Sequence, residues 1–183
     1  MEDKTTTIYL VRHGAIDLKD GEAIEENPPL NKKGIEQAKK LGKQFKEVDP
    51  ELNKVVTSTM KRSVQTAEII CDYLGLKYSS FPEFNEFSRK VFKKKILTNK
   101  FWVSYSKLKK ARQKFEEILS ENEGKKILFV IHGNVIKGLL MSFLGLSLKQ
   151  VDHFSYGHTN VSRLTFKKGK LNTISYFGSK TVF

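Results

Sequence analysis

The apolar positions of this chain fall into two kinds of run. Residues 6–11 and 126–131 are continuous, and Ile, Leu, Val and aromatic side chains dominate them. Runs of that length and content read as strands buried on both faces, as in a parallel sheet. Elsewhere the apolar residues recur every three or four positions. Ile35, Ala38, Leu41 and Phe45 share one face of a helix over 32–46, with Asn31 as its N-cap and Asp49-Pro50 beyond its end. Val64, Ala67, Ile70 and Cys71 mark a second helix, capped by Ser58 or Thr59, running to Leu74 and stopped by Gly75. Leu108, Ala111, Phe115, Ile118 and Leu119 mark a third over 104–122, and an apolar helix over 134–144 ends at Gly145.

Short strands are expected at 54–57 and 77–81. Residues 161–166 and 171–176 alternate around Lys168-Gly169, the pattern of a hairpin. Residues 15–29, with Gly21 and Pro28-Pro29, read as a loop, whereas 84–102 mix aromatics with lysines at no clean period. The order of elements implies a layered α/β domain. Its two continuous strands end alike, in Arg12-His13-Gly14 and Ile131-His132-Gly133. Ligands of open α/β sheets bind outside the carboxyl ends of the strands. Both imidazoles are therefore expected at one rim, although they lie about 120 residues apart in sequence.

A chain of 183 residues suits one domain, spanning 1–183. The start of the chain, with Glu2 and Asp3, lacks the basic-then-apolar layout of a signal peptide. No apolar run approaches the roughly 20 residues that span a bilayer. These features argue against a membrane and for the cytoplasm. Cys71 is the only cysteine, which excludes an internal disulfide and a thiolate metal cluster; its apolar helical setting reads as a buried structural thiol. The formal net charge of +13 is unevenly placed. Residues 87–115 hold eleven basic and no acidic side chains, leaving 22 basic against 20 acidic elsewhere.

If His13 and His132 share a site with Arg12, the junction Ser58-Thr59-Met60-Lys61-Arg62 brings a second arginine into the first turn of a helix. Free N–H groups at a helix start favour anions. Two arginines, two histidines and a helix N-terminus suit something small, compact and multiply anionic. Phosphate fits best, because a planar guanidinium binds it through two parallel hydrogen bonds. An imidazole can also attack phosphorus and carry the phosphoryl group. Nearby positive charge lowers a histidine pKa, so Arg12 and Arg62 would favour the neutral, nucleophilic form. A leaving alkoxide needs a proton, and Glu83 and Glu86 are the candidate acids. Gly14 and Gly133 are expected to let the backbone approach the anion. A His-only metal site using His153 and His158 lacks ligand spacing and accompanying carboxylates, so no metal is expected.

Arg12-His13-Gly14 after a strand resembles the signature of the histidine phosphatase superfamily, the phosphoglycerate-mutase-like proteins. Four further stretches match in order. Pro29-Leu30-Asn31-Lys32-Lys33-Gly34-Ile35-Glu36-Gln37-Ala38 resembles the family's "PLT..G..QA" helix start, and residues 58–67 its "S...R..QTA" motif. Phe84-Asn85-Glu86 resembles the "L.E" element that carries the proton donor. Ile131-His132-Gly133-Asn134 resembles the segment of the second histidine. The resemblance implies a three-layer α/β/α sandwich with a mostly parallel central sheet. His13 would be phosphorylated and then hydrolysed, with Arg12, Arg62 and His132 holding the phosphoryl group and Glu86 as general acid and base. Gly14, Gly133 and Asn134 would border the substrate. No metal or cofactor is implied.

Departures from the family pattern concern the substrate. Ala15-Ile16 follows the triplet where the family often has Glu-Thr, and Phe87-Ser88-Arg89-Lys90 replaces a glycine-rich stretch after the acid. Only about 40 residues separate Glu86 from Lys126, too few for the long insertion of cofactor-dependent phosphoglycerate mutases. The expectation is thus a phosphatase acting on a small phosphomonoester. The alternatives are a mutase, or an inactive relative that binds polyanions through its basic cap. That cap insertion, about 83–122, would draw anionic substrates to the cleft. Phe92, Phe101, Trp102 and Tyr105 could give it an apolar inner wall, and neutralising Lys93, Lys94 and Lys95 should then raise KM. The expected partner is a small phosphorylated compound rather than nucleic acid. The hairpin and residues 179–183 could join a homodimer or simply cover an edge.

Overall fold

The computed structural model describes residues 4–19, 22–23, 26–49, 51–87 and 99–182, with the side chains of 22–23, 99–104, 148–149 and 152 outside that description. Strand β1 (Thr5–Arg12) leads into a small hairpin, β2 (Leu18–Lys19) and β3 (Glu22–Ala23). Helix α1 (Lys32–Val48), β4 (Lys54–Thr57), α2 (Lys61–Leu74) and β5 (Tyr78–Ser80) follow. A 3-10 turn at Pro82–Phe84 precedes α3 (Asn99–Glu121), β6 (Lys126–Ile131) and α4 (Gly133–Phe143). A second such turn, Leu148–His153, leads to β7 (Val161–Lys167) and β8 (Lys170–Ser179).

Six strands form one sheet in the order β5-β4-β6-β1-β7-β8. The first four are mutually parallel; β7 pairs antiparallel with β1, and β8 antiparallel with β7. The two continuous apolar runs serve both faces of this sheet. Tyr9, Val11, Leu128 and Val130 pack on one side with α1 and α2 residues such as Leu41, Phe45, Ala67 and Ile70. Ile8, Leu10, Ile127, Phe129 and Ile131 pack on the other with Phe115, Ile118, Leu139 and Leu140 of α3 and α4. Alternation by two sends successive side chains to opposite layers, which is why residues 8–11 and 127–131 show no alternation of polar and apolar positions. The result is the expected three-layer α/β/α arrangement around a mostly parallel sheet.

The chain visits β1, β4 and β5 in turn and only then returns to place β6 between β4 and β1. The carboxyl ends of β1, β6 and β4 therefore lie side by side at the point where strand order reverses, the usual crevice of such sheets. β1 pairs with β6 in the register Arg12↔Ile131, so His13 and His132 leave neighbouring strands at the same height. The His13 N–H completes the ladder by donating to the Ile131 carbonyl at 3.0 Å.

Asn31 caps α1 as expected, its side chain accepting from the Gly34 N–H at 2.9 Å. The start of α2 differs. Its N-cap is Met60, with no side-chain bond, instead of Ser58 or Thr59. Both hydroxyls are engaged elsewhere: Ser58 faces His132 and Thr59 donates to Asn85 Oδ1. Gly75 ends α2 at φ 66°, a conformation that glycine adopts freely.

Of the stretch expected as a cap, Arg89, Lys90, Phe92 and Lys93–Lys95 lie outside the described residues, as do the side chains of Phe101 and Trp102. Helix α3 begins five residues before the expected start, and its later turns belong to the core: Leu108, Ala111, Phe115, Ile118 and Leu119 are all buried. Phe115 stacks among Phe129, Phe143 and Phe166, with ring centroids 4.9, 5.1 and 5.7 Å away. Among the described residues no helix is long and apolar enough to cross a membrane.

Candidate active site

The strand ends deliver two buried imidazoles whose ring centroids are 5.0 Å apart. Hydrogen bonds on both ring nitrogens of His13 fix its tautomer. Nδ1 lies 2.8 Å from the Gly14 carbonyl, which can only accept, so the proton sits on Nδ1. Nε2 receives the Arg62 Nε–H at 3.2 Å, and a guanidinium can only donate. Nε2 is therefore the unprotonated nitrogen, and its lone pair accepts the Arg62 N–H. Burial, then the Arg62 charge, hold His13 well below the ordinary histidine pKa, so the ring stays neutral.

His132 is fully buried. Its Nε2 meets Ser58 Oγ at 2.8 Å and Ser63 Oγ at 3.2 Å, while Nδ1 has no hydrogen-bond partner among the described residues. Burial lowers its pKa as well, with His13 and the two arginines adding to the effect. Arg12 anchors one nitrogen on the Tyr156 carbonyl at 2.8 Å and leaves Nε without a partner. Arg62 spends Nε on His13 and one terminal nitrogen on Met60 Sδ, leaving the other without one. Buried donors without partners are costly in a folded chain. Here they belong to side chains gathered around the His13 and His132 rings, an arrangement suited to an anion.

A cavity of about 430 Å³ borders this cluster at Arg12 and is lined also by Glu86, Gly133, Asn134, Lys137 and Tyr156 among others. The first turn of α4 forms part of its wall. Glu86 places Oε2 4.0 Å from His132 Nδ1, and burial pushes its carboxyl up to about 7 against the pull of Arg62, Arg12 and Lys137. It can therefore hold a proton near neutrality. Glu83, the other candidate acid, borders a different cavity with Pro82, Lys107 and Lys110. Asn134 lines the first cavity and donates to the Phe87 carbonyl at 3.1 Å.

The two glycines divide their roles. A Cβ on Gly133 would press on the Arg12 side chain at 3.3 Å, so its bareness makes room for the guanidinium. The close approach at Gly14 is not to the anion cavity but to α1. A Cβ there would meet the Gly34 carbonyl oxygen at 2.5 Å, and its N–H donates to Thr66 Oγ1 at 3.0 Å. Gly14 thus packs strand against helix.

His158 joins the cluster, and nothing in the sequence pattern distinguished it from His153, which is exposed on a surface turn. Its ring centroid is 5.4 Å from that of His13, and burial, then Arg12, lower its pKa to about 4. The next residue, Thr159, adopts φ 54°, unusual for a β-branched side chain and worth about 1–3 kcal/mol of strain. Its N–H donates to the Arg12 carbonyl at 2.9 Å, which holds the turn in place. His158 precedes β7, and only the antiparallel pairing of β7 with β1 brings that start to the end of β1. Among the described residues, no group of three or more His, Cys, Asp or Glu is arranged to hold a metal ion.

A layered α/β sheet with two buried imidazoles, two arginines and an elevated carboxyl at its switch point presents a site suited to the class of compact anions. Comparison with known sequences makes the class specific. The profile of the histidine phosphatase superfamily (branch 1) matches residues 8–99 and 104–177, and the chain belongs to that superfamily. It is 29% identical over 178 residues to human 6-phosphofructo-2-kinase/fructose-2,6-bisphosphatase 4, covering 87% of this chain and 37% of that protein. With the mitochondrial serine/threonine-protein phosphatase Pgam5 of Drosophila persimilis it shares 28% over 182 residues, covering 93% of this chain and 62% of that one. The chain thus spans only part of the length of these relatives. Among solved structures it superposes on phosphoserine phosphatase from Entamoeba histolytica, crystallised with 3-phosphoglyceric acid, with a TM-score of 0.78, 19% identity and coverage of 95% and 97%. The relatives named here are phosphatases, the human one also a kinase.

Proposed function

We propose that the protein is a metal-independent phosphatase of the cytoplasm that hydrolyses a small phosphomonoester through a phosphohistidine on His13. One observation carries the reading. Beside the unprotonated Nε2 of His13, buried donors on Arg12 and Arg62 and the buried Nδ1 of His132 lack hydrogen-bond partners among the described residues. In this mechanism the Arg62 Nε–H turns from Nε2 to a phosphoryl oxygen, Nε2 attacks phosphorus and the ester P–O bond breaks. Arg12, Arg62 and His132 take the charge of the phosphoryl oxygens, and Glu86 gives its proton to the departing alkoxide. Glu86, now a carboxylate, accepts a proton from water as that water attacks phosphorus. The P–N bond breaks, inorganic phosphate leaves, and both residues are restored. The positive charge that steadies the phosphoryl group also repels a divalent cation, so the chemistry suits operation without a metal.

The test is hydrolysis of an aryl phosphate in the presence of chelator by wild type and His13→Ala. Chelator-resistant turnover that vanishes in the variant, with an acid-labile phosphoenzyme trapped in wild type alone, supports the reading. Turnover that needs a divalent cation, or survives loss of His13, would overturn it.

A further inference from the structure

One member of the histidine cluster, His158, lines a second cavity. It encloses about 420 Å³ between one stripe of α1, formed by Lys33, Gln37, Lys40 and Gln44, and the turn that carries His158, with Lys180 at its edge. The α1 residues recur at steps of four, three and four, so they share one face of the helix. The charge of this cavity is one-sided, since its lining holds three lysines and His158 but no carboxylate. Neighbouring lysines behave differently: Lys39 pairs with Glu36 at 2.8 Å, and Lys126 pairs with Asp49 and Glu51. Among the described residues, Lys33, Lys40 and Lys180 make no ion pair.

Three ammonium groups gathered about one concavity repel each other, and an anion between them relieves that repulsion. The amide groups suit the same guest. Gln37 uses its oxygen on the Ala15 N–H at 2.9 Å, which leaves its NH₂ as a donor. One side chain of the histidine cluster borders this cavity. His158 lines it, stands 5.4 Å from His13 between ring centroids, and has an Nε2 with no hydrogen-bond partner among the described residues. The charges of Arg12, Lys33 and Arg62 all act on that ring.

We propose that this second cavity is an anion site, distinct from the one around His13 Nε2, that takes a phosphate or diphosphate group. The group could be the far phosphate of a bisphosphorylated substrate or a free anion that modulates turnover. The chemistry of recognition is the same.

Inorganic pyrophosphate, titrated into the full-length protein and followed by amide NMR, tests the site without relying on catalysis. The signals of Gln37, Gln44 and Gly157 should shift along their own saturation curve. The exposed pair K40Q/K180Q should weaken that curve about tenfold or more and leave the Gly133 curve unchanged. Signals of Gln37, Gln44 and Gly157 that stay still while Gly133 saturates would overturn the proposal, and so would equal shifts in the double variant, the mark of a diffuse ionic atmosphere. Turnover then identifies the source. A substrate phosphate in the cavity predicts that K40Q/K180Q raises KM for a bisphosphate and not for an aryl monophosphate. A free anion predicts a non-competitive component of pyrophosphate inhibition that the double variant lacks.

Discussion

Arg62 donates its Nε–H to Nε2 of His13 at 3.2 Å, and the opposite nitrogen of that ring faces the Gly14 carbonyl at 2.8 Å. A single guanidinium thus selects the tautomer, lowers the pKa of the ring and keeps a second nitrogen for the phosphoryl oxygens.

Arg62→Lys should therefore behave as a loss of function. Lysine is a point charge on a flexible stem and cannot hold both positions of the planar fork. A loss of about 10²–10³ in kcat is expected, the scale of removing one preorganised donor. Nitrogen chemical shifts of His13 should show Nε2 losing its hydrogen bond in the variant while the Gly14 carbonyl keeps the proton on Nδ1. A variant with near-normal kcat would mean that charge alone suffices.

Glu86→Gln separates proton donation from the rest. Alkyl phosphates leave as strongly basic alkoxides and should slow by about 10²–10⁴, the range of general acid catalysis. An aryl phosphate, whose leaving group hardly needs a proton, should slow much less. Equal losses would remove Glu86 as the acid. The same panel, extended to phosphoglycerate interconversion, distinguishes hydrolysis from mutase activity.

The pH profile should carry both elevated and lowered groups. Glu86 must be protonated to act as acid, and its carboxyl is raised to about 7, so kcat for alkyl phosphates should fall as pH rises through that value. His13 must be neutral, and its pKa is lowered well below 6.5, so activity should persist on the acid side beyond the point where an ordinary histidine charges. In Glu86→Gln the alkaline limb should disappear and the acid limb remain. An alkaline limb that survives the substitution would belong to another group.

How much of this was legible in the sequence follows from the range of each interaction. His13 and His132 were readable because each ends an apolar run long enough to be a buried strand, and parallel strands present their carboxyl ends together. Arg62 was readable from its place at a strand–helix junction, and the motif resemblance singled out Glu86 over Glu83. Ser58 and Thr59 were misread as caps because a hydroxyl before a helix is a local signal, whereas their partners His132 and Asn85 lie 74 and 26 residues away. His158 was invisible for the same reason on a larger scale. Its place depends on β7 lying antiparallel to β1, and no periodicity near residue 158 encodes that pairing. Gly14 carried a true signal of close approach, but the partner was Gly34, reached only once α1 folds back on β1.

That glycine pair supplies a test of how tightly the site depends on the layer beneath it. A Cβ on Gly34 would run into the backbone oxygen and nitrogen of Ala15, and neither can swing aside as a side-chain end could. The same contact is held by Asn31 N–H to the Ala15 carbonyl at 3.0 Å and by Ala15 N–H to Gln37 at 2.9 Å. Gly34→Ala must push α1 from the end of β1 and stretch both bonds, an overpacking cost of about 1–3 kcal/mol. In a chain of this size each kcal/mol is worth about 2–4 °C, so Tm should drop by roughly 2–12 °C. Because Ala15 follows the Gly14 carbonyl that orients His13, kcat should fall with it, more than KM. Ile35→Ala, one residue on and partly exposed at 37%, should cost less in stability and leave kcat alone. A Gly34→Ala protein with unchanged Tm and kcat would show that α1 can slide on the sheet without disturbing His13.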